Sequence, residues 1–531
     1  MRCLPALVLV FLCVAVHADT FTSVADGPWG DAKTWGGQVP ETRAGHVLVV
    51  ATRVTLDGDI ALGGGSELRL GPGAALDLAG HTLTLGAKRP DRVKLRFAGV
   101  ARKRAGVTTT KPGGAIVTAP ATRVSVQFEH VDFSGLGDCR IGSRADADDA
   151  CIVRRCTFAK CGDLQFTFAG MPAASDVVFE QCDFREPTGK RKYLLLLNVS
   201  GDAPTGRRTI SQCTFDGRGK PACVRTMVEN LIVDRCVFED AAWSSFTRPG
   251  QRVRGSFFHT DVHNCLVVIS AAWNGDADVE DCYIFADGKN PHSIHMGAKK
   301  TVRGCVFEAN DHECNHVICS KDITIEKCIV LGTGTLYSNL SVHAGAVMVR
   351  HNTIYASKAG GATPMLILTE GRGNKFTGTC IARKDLLVDS DTASENYGIG
   401  LSDPAPDQIT SDGNCFYGYP GGKVAVPYYI WMTRNRNPVE VIRPAPGRND
   451  IIVDPKFVDR HRNLAAWDKS LGGPGTSQHA IVELLKLNGA HDKRYTTDAL
   501  VRYIREGFAP TAPELKDIGA VPVKAATEKR P

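Results

Sequence analysis

A short motif, polar–Cys–x–apolar, recurs along the middle of the chain and constrains its fold more than any other feature. It occurs as Arg155-Cys156-Thr157-Phe158, Gln181-Cys182-Asp183-Phe184, Gln212-Cys213-Thr214-Phe215 and Arg235-Cys236-Val237-Phe238. It returns as Asp281-Cys282-Tyr283-Ile284, Gly304-Cys305-Val306-Phe307 and Lys327-Cys328-Ile329-Val330. Val131, Ser256 and Asn352 take the place of the cysteine in further copies, and Cys380 closes the series, with neighbouring copies 20–31 residues apart. Short alternating runs precede the motif, such as Asp322-Ile323-Thr324-Ile325-Glu326 and Ala346-Val347-Met348-Val349-Arg350. Alternation with period two buries one face of a strand. A unit this short holds two or three strands and their turns, with no room for a helix as well. That describes one coil of a parallel β-helix. A leucine-rich repeat requires a regular leucine pattern that is absent, and a propeller blade requires about 40 residues.

The runs Ile325-Glu326-Lys327-Cys328-Ile329 and Val349-Arg350-His351-Asn352-Thr353-Ile354 resemble the coil signature of right-handed parallel β-helix proteins of the pectate-lyase-like superfamily. In that superfamily an inward Asn stacks at a tight turn, and here Cys mostly takes its place. The resemblance implies an all-β fold, a right-handed parallel β-helix (solenoid) of about eleven coils over residues 91–385. Residues 19–90 carry Gly27-Pro28-Trp29-Gly30 and Trp35-Gly36-Gly37 ahead of alternating strands. This segment is similar to the eight-glycine domain of some secreted carbohydrate-processing proteins, and is expected to cap the open sheet edge. Residues 386–531 read as irregular last coils and a C-terminal cap. Apolar spacing in that region predicts short helices over Ala480–Leu487 and Asp498–Arg505.

Residues 1–18 have the form of a secretory signal peptide: Arg2, an apolar stretch from Leu4 to Val16, and small residues up to Ala18. The mature protein is therefore expected to be secreted, periplasmic or at the cell surface, with no membrane span. Hydrophobic residues at 43% and charged residues at 23% exclude a disordered chain or a coiled coil. A formal net charge of +6 is too small to argue for nucleic acid and is compatible with an acidic polysaccharide. Of the 18 cysteines, eight fall in the repeat (156, 182, 213, 236, 282, 305, 328 and 380), where a mostly reduced internal stack is expected. Cys314 with Cys319 and Cys139 with Cys161 are the better candidates for bridges.

Outward residues on neighbouring coils form rows along which a polymer can lie. His295, His316 and His343 fall in similar parts of three successive units, with Trp273 in the unit before. Histidine suits acid–base work and an aromatic ring suits sugar stacking. The resemblance implies a polysaccharide lyase or glycoside hydrolase, with His295 or His343 as base, His316 beside them and Arg248 as carboxylate partner. Lys192, Tyr193 and Arg225 are candidate substrate-binding residues. The alternative is a non-catalytic carbohydrate-binding or adhesion protein. Carboxylates at Asp146, Asp148 and Asp149, and at Asp276, Asp278, Glu280 and Asp281, lie in calcium-binding company, but neither group supplies a full ligand set by spacing. The spacing gives no metal site: His312 and His316 stand four apart, but a β-coil offers no helix to bring them together.

Overall fold

The computed structural model describes residues 18–522, with breaks at 43–44, 87–90, 121, 145–149, 202–203, 219–221, 242, 247, 261–268, 272–276, 287–291, 297–299, 310–314, 320–321, 333–334, 339–345, 357–365, 370–373, 384–398, 403–408, 418–428, 433–437 and 444–448. The chain is an all-β parallel solenoid. A first sheet of 16 strands runs from Thr20–Thr22 to Ile409–Asp412, and a second of 16 from Gly27–Pro28 to Cys415–Tyr417. A third sheet of 12 strands runs from Ile60–Leu62 to Thr335–Ser338. Within each sheet the strands follow chain order, one from each turn of the chain. A separate four-stranded sheet, Leu366–Thr369 to Pro438–Arg443, ends in an antiparallel pair.

The turn from first to second sheet repeats one device. Its first residue is left-handed: His130, Arg155, Gln181, Gln212, Arg235, Asp281, Lys327 and His351 have φ of 51–55°, and Gly255, Gly304, Gly378 and Gly413 fill the same place elsewhere. For a residue with a Cβ this conformation costs about 1–2 kcal/mol. The next residue points inward, and its backbone amide donates to the side chain at the same place one turn later. Cys182 N–H donates to Cys213 Sγ at 3.4 Å, and Cys236 N–H to Ser256 Oγ at 3.1 Å. Cys328 N–H reaches Asn352 Oδ1 at 2.9 Å, Asn352 N–H reaches Thr379 Oγ1 at 3.3 Å, and Thr379 N–H reaches Asn414 Oδ1 at 2.9 Å. In these turns the position takes a small side chain that accepts a hydrogen bond, which Cys, Ser, Thr and Asn all satisfy; Val131, after left-handed His130, fills it without an acceptor. The thiols also donate: Cys182 Sγ lies 3.4 Å from both Glu180 O and Val153 O.

One expectation fails by a single residue. Cys380 is not in the inward ladder; Thr379 is. Cys380 instead pairs in register with Thr353 and Cys415 on the outward face. Residue type suggested the cysteine, but a shift of one reverses the face of a strand. Cys139 and Cys161, expected as a bridge, are free buried thiols.

Two residues beyond the ladder position lies an aromatic column. The rings of Phe133, Phe158, Phe184, Phe215, Phe238 and Phe258 stack in sequence with centroids 4.6, 5.0, 4.9, 4.9 and 4.5 Å apart. The spacing is that of adjacent strands, about 4.8 Å, so backbone pairing and ring stacking share one repeat. The column continues through Ile284, Phe307, Val330 and Ile354, mostly aliphatic.

After the last strands the chain forms three helices: α1 (Leu464–Ser470), α2 (Gln478–Leu485) and α3 (Thr497–Gly507). The second and third match the spacing read from sequence; α1 is short and carries no such signal. Asn463, Ser477 and Thr496 cap them, each side-chain oxygen accepting from a backbone amide three residues on. The helices bury Trp467, Val482, Leu485, Leu500 and Ile504 against the outer face of the second sheet. There the outward row turns from Asp183 and Thr214 to Val237, Phe257, Tyr283, Val306 and Ile329. α3 also satisfies carbonyls of the left-handed turns, because Arg505 donates to Gly304 O at 3.4 Å and to Lys327 O at 3.1 Å.

Two outcomes follow. Asn352→Leu removes the acceptor for Cys328 N–H and the donor to Ile325 O at 3.0 Å. Denaturant unfolding should show a loss of about 2–6 kcal/mol, at 1–3 for each stranded group, while Asn352→Thr should recover part of it. Burial raises the thiols of Cys161 and Cys223 to about 12 and about 11. Of the thirteen cysteines whose side chains are described, twelve are buried, so a thiol reagent at pH 8 should label these twelve only after unfolding; rapid native labelling of Cys182 or Cys213 would contradict the ladder.

Candidate functional site

The three outer faces differ in what they offer a ligand. On the first sheet, Arg254, Glu280, Arg303, Glu326 and Arg350 follow one another in register. Arg254 reaches Asp234 at 2.8 Å, and Arg303 and Arg350 each reach Glu326 at 2.5 Å. Burial opposes ionisation of Glu326, but hydrogen bonds from Arg350 and Arg303 hold its carboxyl below the usual range. This face is largely consumed by its own charge pairs.

The third sheet carries four of the eight candidate site residues singled out from sequence, Tyr193, Arg225, His295 and His316. Arg225 is exposed on the strand Cys223–Val228. Its backbone pairs with Leu196 on one side and Ser245 on the other. Ser245 pairs with Ser270, and Ser270 with His295. Arg225 and His295 thus occupy one register row, three strand spacings or roughly 14 Å apart. His295 is followed in that row by Ile318 rather than by His316, which sits two positions earlier, between Asn315 and Val317. Tyr193 opens the strand Tyr193–Gly201 and is half-buried; its amide donates to Asp163 Oδ1 at 3.2 Å. Lys192 precedes it with φ 52°. Arg248 is exposed in the turn between third and first sheets and so stands off this face; its amide donates to Gln251 Oε1 at 3.4 Å. His343 and Trp273 lie outside the described residues, as do Asp146, Asp148, Asp149 and Asp276.

A second polar site lies on the second sheet, and sequence reading missed it. Asp216, Glu239 and His259 occupy one outward row on three successive strands. All three are buried, at 2%, 4% and 2% exposure. Facing them, α2 and its C-cap present His479, Glu483 and Lys486, spaced so that they share one side of the helix. The Lys486 ammonium donates to Asp216 Oδ2 at 2.8 Å and lies 2.9 Å from Glu239 Oε2 and 2.6 Å from Glu483 Oε1. Burial pulls the ammonium pKa down, but the hydrogen bond to Asp216 and the charge of Glu239 outweigh it and raise it above the ordinary lysine range. A raised lysine contributes its stability below the ordinary value, so the full contribution is present at neutral pH. His479 Nδ1 lies 2.8 Å from Glu239 Oε1, and the rings of His259 and His479 stand edge to face at 5.3 Å. A signal for the sheet side does exist in sequence: the third residue after Cys213, Cys236 and Ser256 is charged or titratable each time. Nothing in the repeat reveals which distant helix meets that row.

Further along the same face, Tyr283 donates through its hydroxyl to Glu308, and Leu464 N–H donates to the same carboxylate oxygen at 3.2 Å. Glu308 thereby holds the first turn of α1 to the solenoid.

No protein-family model, no curated protein and no solved structure matches the chain. The fold and its polar seams define an all-β parallel solenoid with a short helical segment packed on one face. Among the described residues, no helix is long and apolar enough to cross a membrane.

Lys486→Met keeps the stem and removes the charge, leaving Glu239 buried without its ammonium and Asp216 with only the half-exposed Arg218 at 3.0 Å. Denaturant unfolding should register a loss of about 3–5 kcal/mol, and adding Asp216→Asn should recover part of it.

Proposed function

We propose that the protein is a carbohydrate-active solenoid, exported after loss of its first 18 residues, which takes an extended acidic polysaccharide along the outer face of the third sheet. The reading extends the fold to a right-handed parallel β-helix, the hand taken by about 98% of parallel crossovers. The observation that carries it is the register row joining Arg225 to His295. Of the three faces, the first is filled by paired charges and the second is covered by helices over its later strands. The third presents Gln165, Leu196, Asn198, Arg225 and Met227, half-buried or exposed. Such a face mixes polar groups with the apolar Leu196 and Met227 at the strand spacing, as a sugar polymer running along the solenoid would use for hydrogen bonds and ring packing.

The chemistry that fits is β-elimination or glycoside hydrolysis. In the lyase form His295 takes the proton beside a uronate carboxylate, since an imidazole titrates near neutrality. Arg225, about 14 Å along the row, binds a carboxylate on a neighbouring sugar and fixes the polymer's register. Non-catalytic carbohydrate binding is the second reading. It draws support from the row Gln165, Leu196, Arg225 and Ser245, which contains no carboxylate.

A panel of acidic polysaccharides distinguishes them. Lyase action releases unsaturated products with ultraviolet absorbance; His295→Ala should abolish that rise, and Arg225→Ala should raise KM more than it lowers kcat. Binding without product would select the second reading. If no polymer is bound or cleaved, or if His295→Ala combined with Arg225→Ala binds as tightly as the parent, the proposal fails.

A further inference from the structure

The seam between α2 and the second sheet holds a group whose chemistry goes beyond anchoring. Glu239, His259 and His479 each offer a ligand atom, and these atoms lie within 4.8 Å of one another. We propose that they form a binding site for a divalent first-row transition metal of the zinc class, which pins α2 to the solenoid. The inference does not depend on the polysaccharide reading, because the site lies on a different sheet.

Three features carry it. The donor set is two imidazoles and one carboxylate, which suits zinc and its neighbours and is poor for calcium or magnesium. The donors come from separate strands and a separate helix: Glu239 and His259 from adjacent strands in register, and His479 from the first turn of α2. Convergence of this kind does not follow from one strand's alternation. The charge balance also fits. Asp216, Glu239 and Glu483 meet two cations, Lys486 and Arg218, the latter 3.0 Å from Asp216 Oδ2, so with neutral imidazoles the seam keeps one net negative charge to attract a metal cation.

The geometry requires little movement. Glu239 uses Oε2 for Lys486 and turns Oε1 toward His479. Metal–ligand bonds of about 2.0–2.1 Å place tetrahedral donors about 3.3 Å apart. The 2.8 Å contact between His479 Nδ1 and Glu239 Oε1 must therefore open by roughly half an ångström. The His479 side chain is 54% exposed and can swing outward to allow it. The second carboxylate group, Asp216, Glu239 and Glu483, is already filled by the Lys486 ammonium and is not the proposed site.

The test uses the full-length protein, stripped with a chelator and titrated with Co(II) and then Zn(II). One equivalent of Co(II) should bind, with visible d–d absorption that Zn(II) displaces, and Zn(II) should raise the thermal midpoint. His479→Ala, at a half-exposed position, should fold as the parent does and bind at least about tenfold more weakly, since even an outer-shell change costs that much. Glu483→Ala, which offers no atom to this ligand set, should weaken binding far less than His479→Ala does. The proposal is overturned if the parent binds well under one equivalent, or if His479→Ala titrates unchanged. Equal weakening in both variants would move the metal to the carboxylates around Lys486 and overturn it as well.

Discussion

At five turns of the solenoid one hydrogen bond recurs, from the amide just past a left-handed residue to the inward side chain one turn on. A left-handed residue brings the chain round sharply enough for the second sheet to follow the first. It also takes the next amide out of the strand ladder. Buried amides without acceptors cost about 1–3 kcal/mol, so in these turns the inward side chain is small and accepts. Cys213 meets this condition, and so do Ser256, Asn352, Thr379 and Asn414. The phenylalanine column then sits two residues further on, at a spacing the backbone has already set.

The two ends of the second sheet show how one repeat accommodates different surroundings. Where its outward row is Asp132, Thr157 and Asp183, the face needs no cover. From Val237 onward the row is apolar and requires a partner, which the three helices supply. The polar row beside it cannot be left dry and unpaired, and it is answered from α2 by His479, Glu483 and Lys486. Buried charges of this kind add little net stability when intact but cost several kcal/mol when one partner is removed. They therefore fix where the helix docks more than how tightly.

Much of the fold was legible because a solenoid repeats its constraint. The Cys-x-apolar motif marks the turn, the inward ladder and the aromatic column together, so a single periodic signal reports three contacts. The same reading slipped at Cys380, where residue type and spacing both allowed an error of one and only register separates Thr379 from its neighbour. It also expected Cys139 and Cys161 to bond, whereas both thiols are free. For the candidate site, Arg225 and His295 could be named from sequence, but their common row rests on Ser245 and Ser270, which have no distinguishing chemistry. Arg248 lies off that face because it sits in the turn, two residues short of the first-sheet strand Gln251–Arg254, a displacement that charge and residue type do not show.

By itself the sequence determined the coil: period-two alternation sets which face of a strand is buried, and the spacing of small acceptor residues sets the turn. Both are local, so they survive without knowledge of the rest. Only the tertiary structure decided where α2 lands. His479, Glu483 and Lys486 lie more than two hundred residues from Asp216, Glu239 and His259, and neither group carries a period that refers to the other. Their meeting is settled by the apolar face that the helices must cover, with the buried charges selecting one docking position on it.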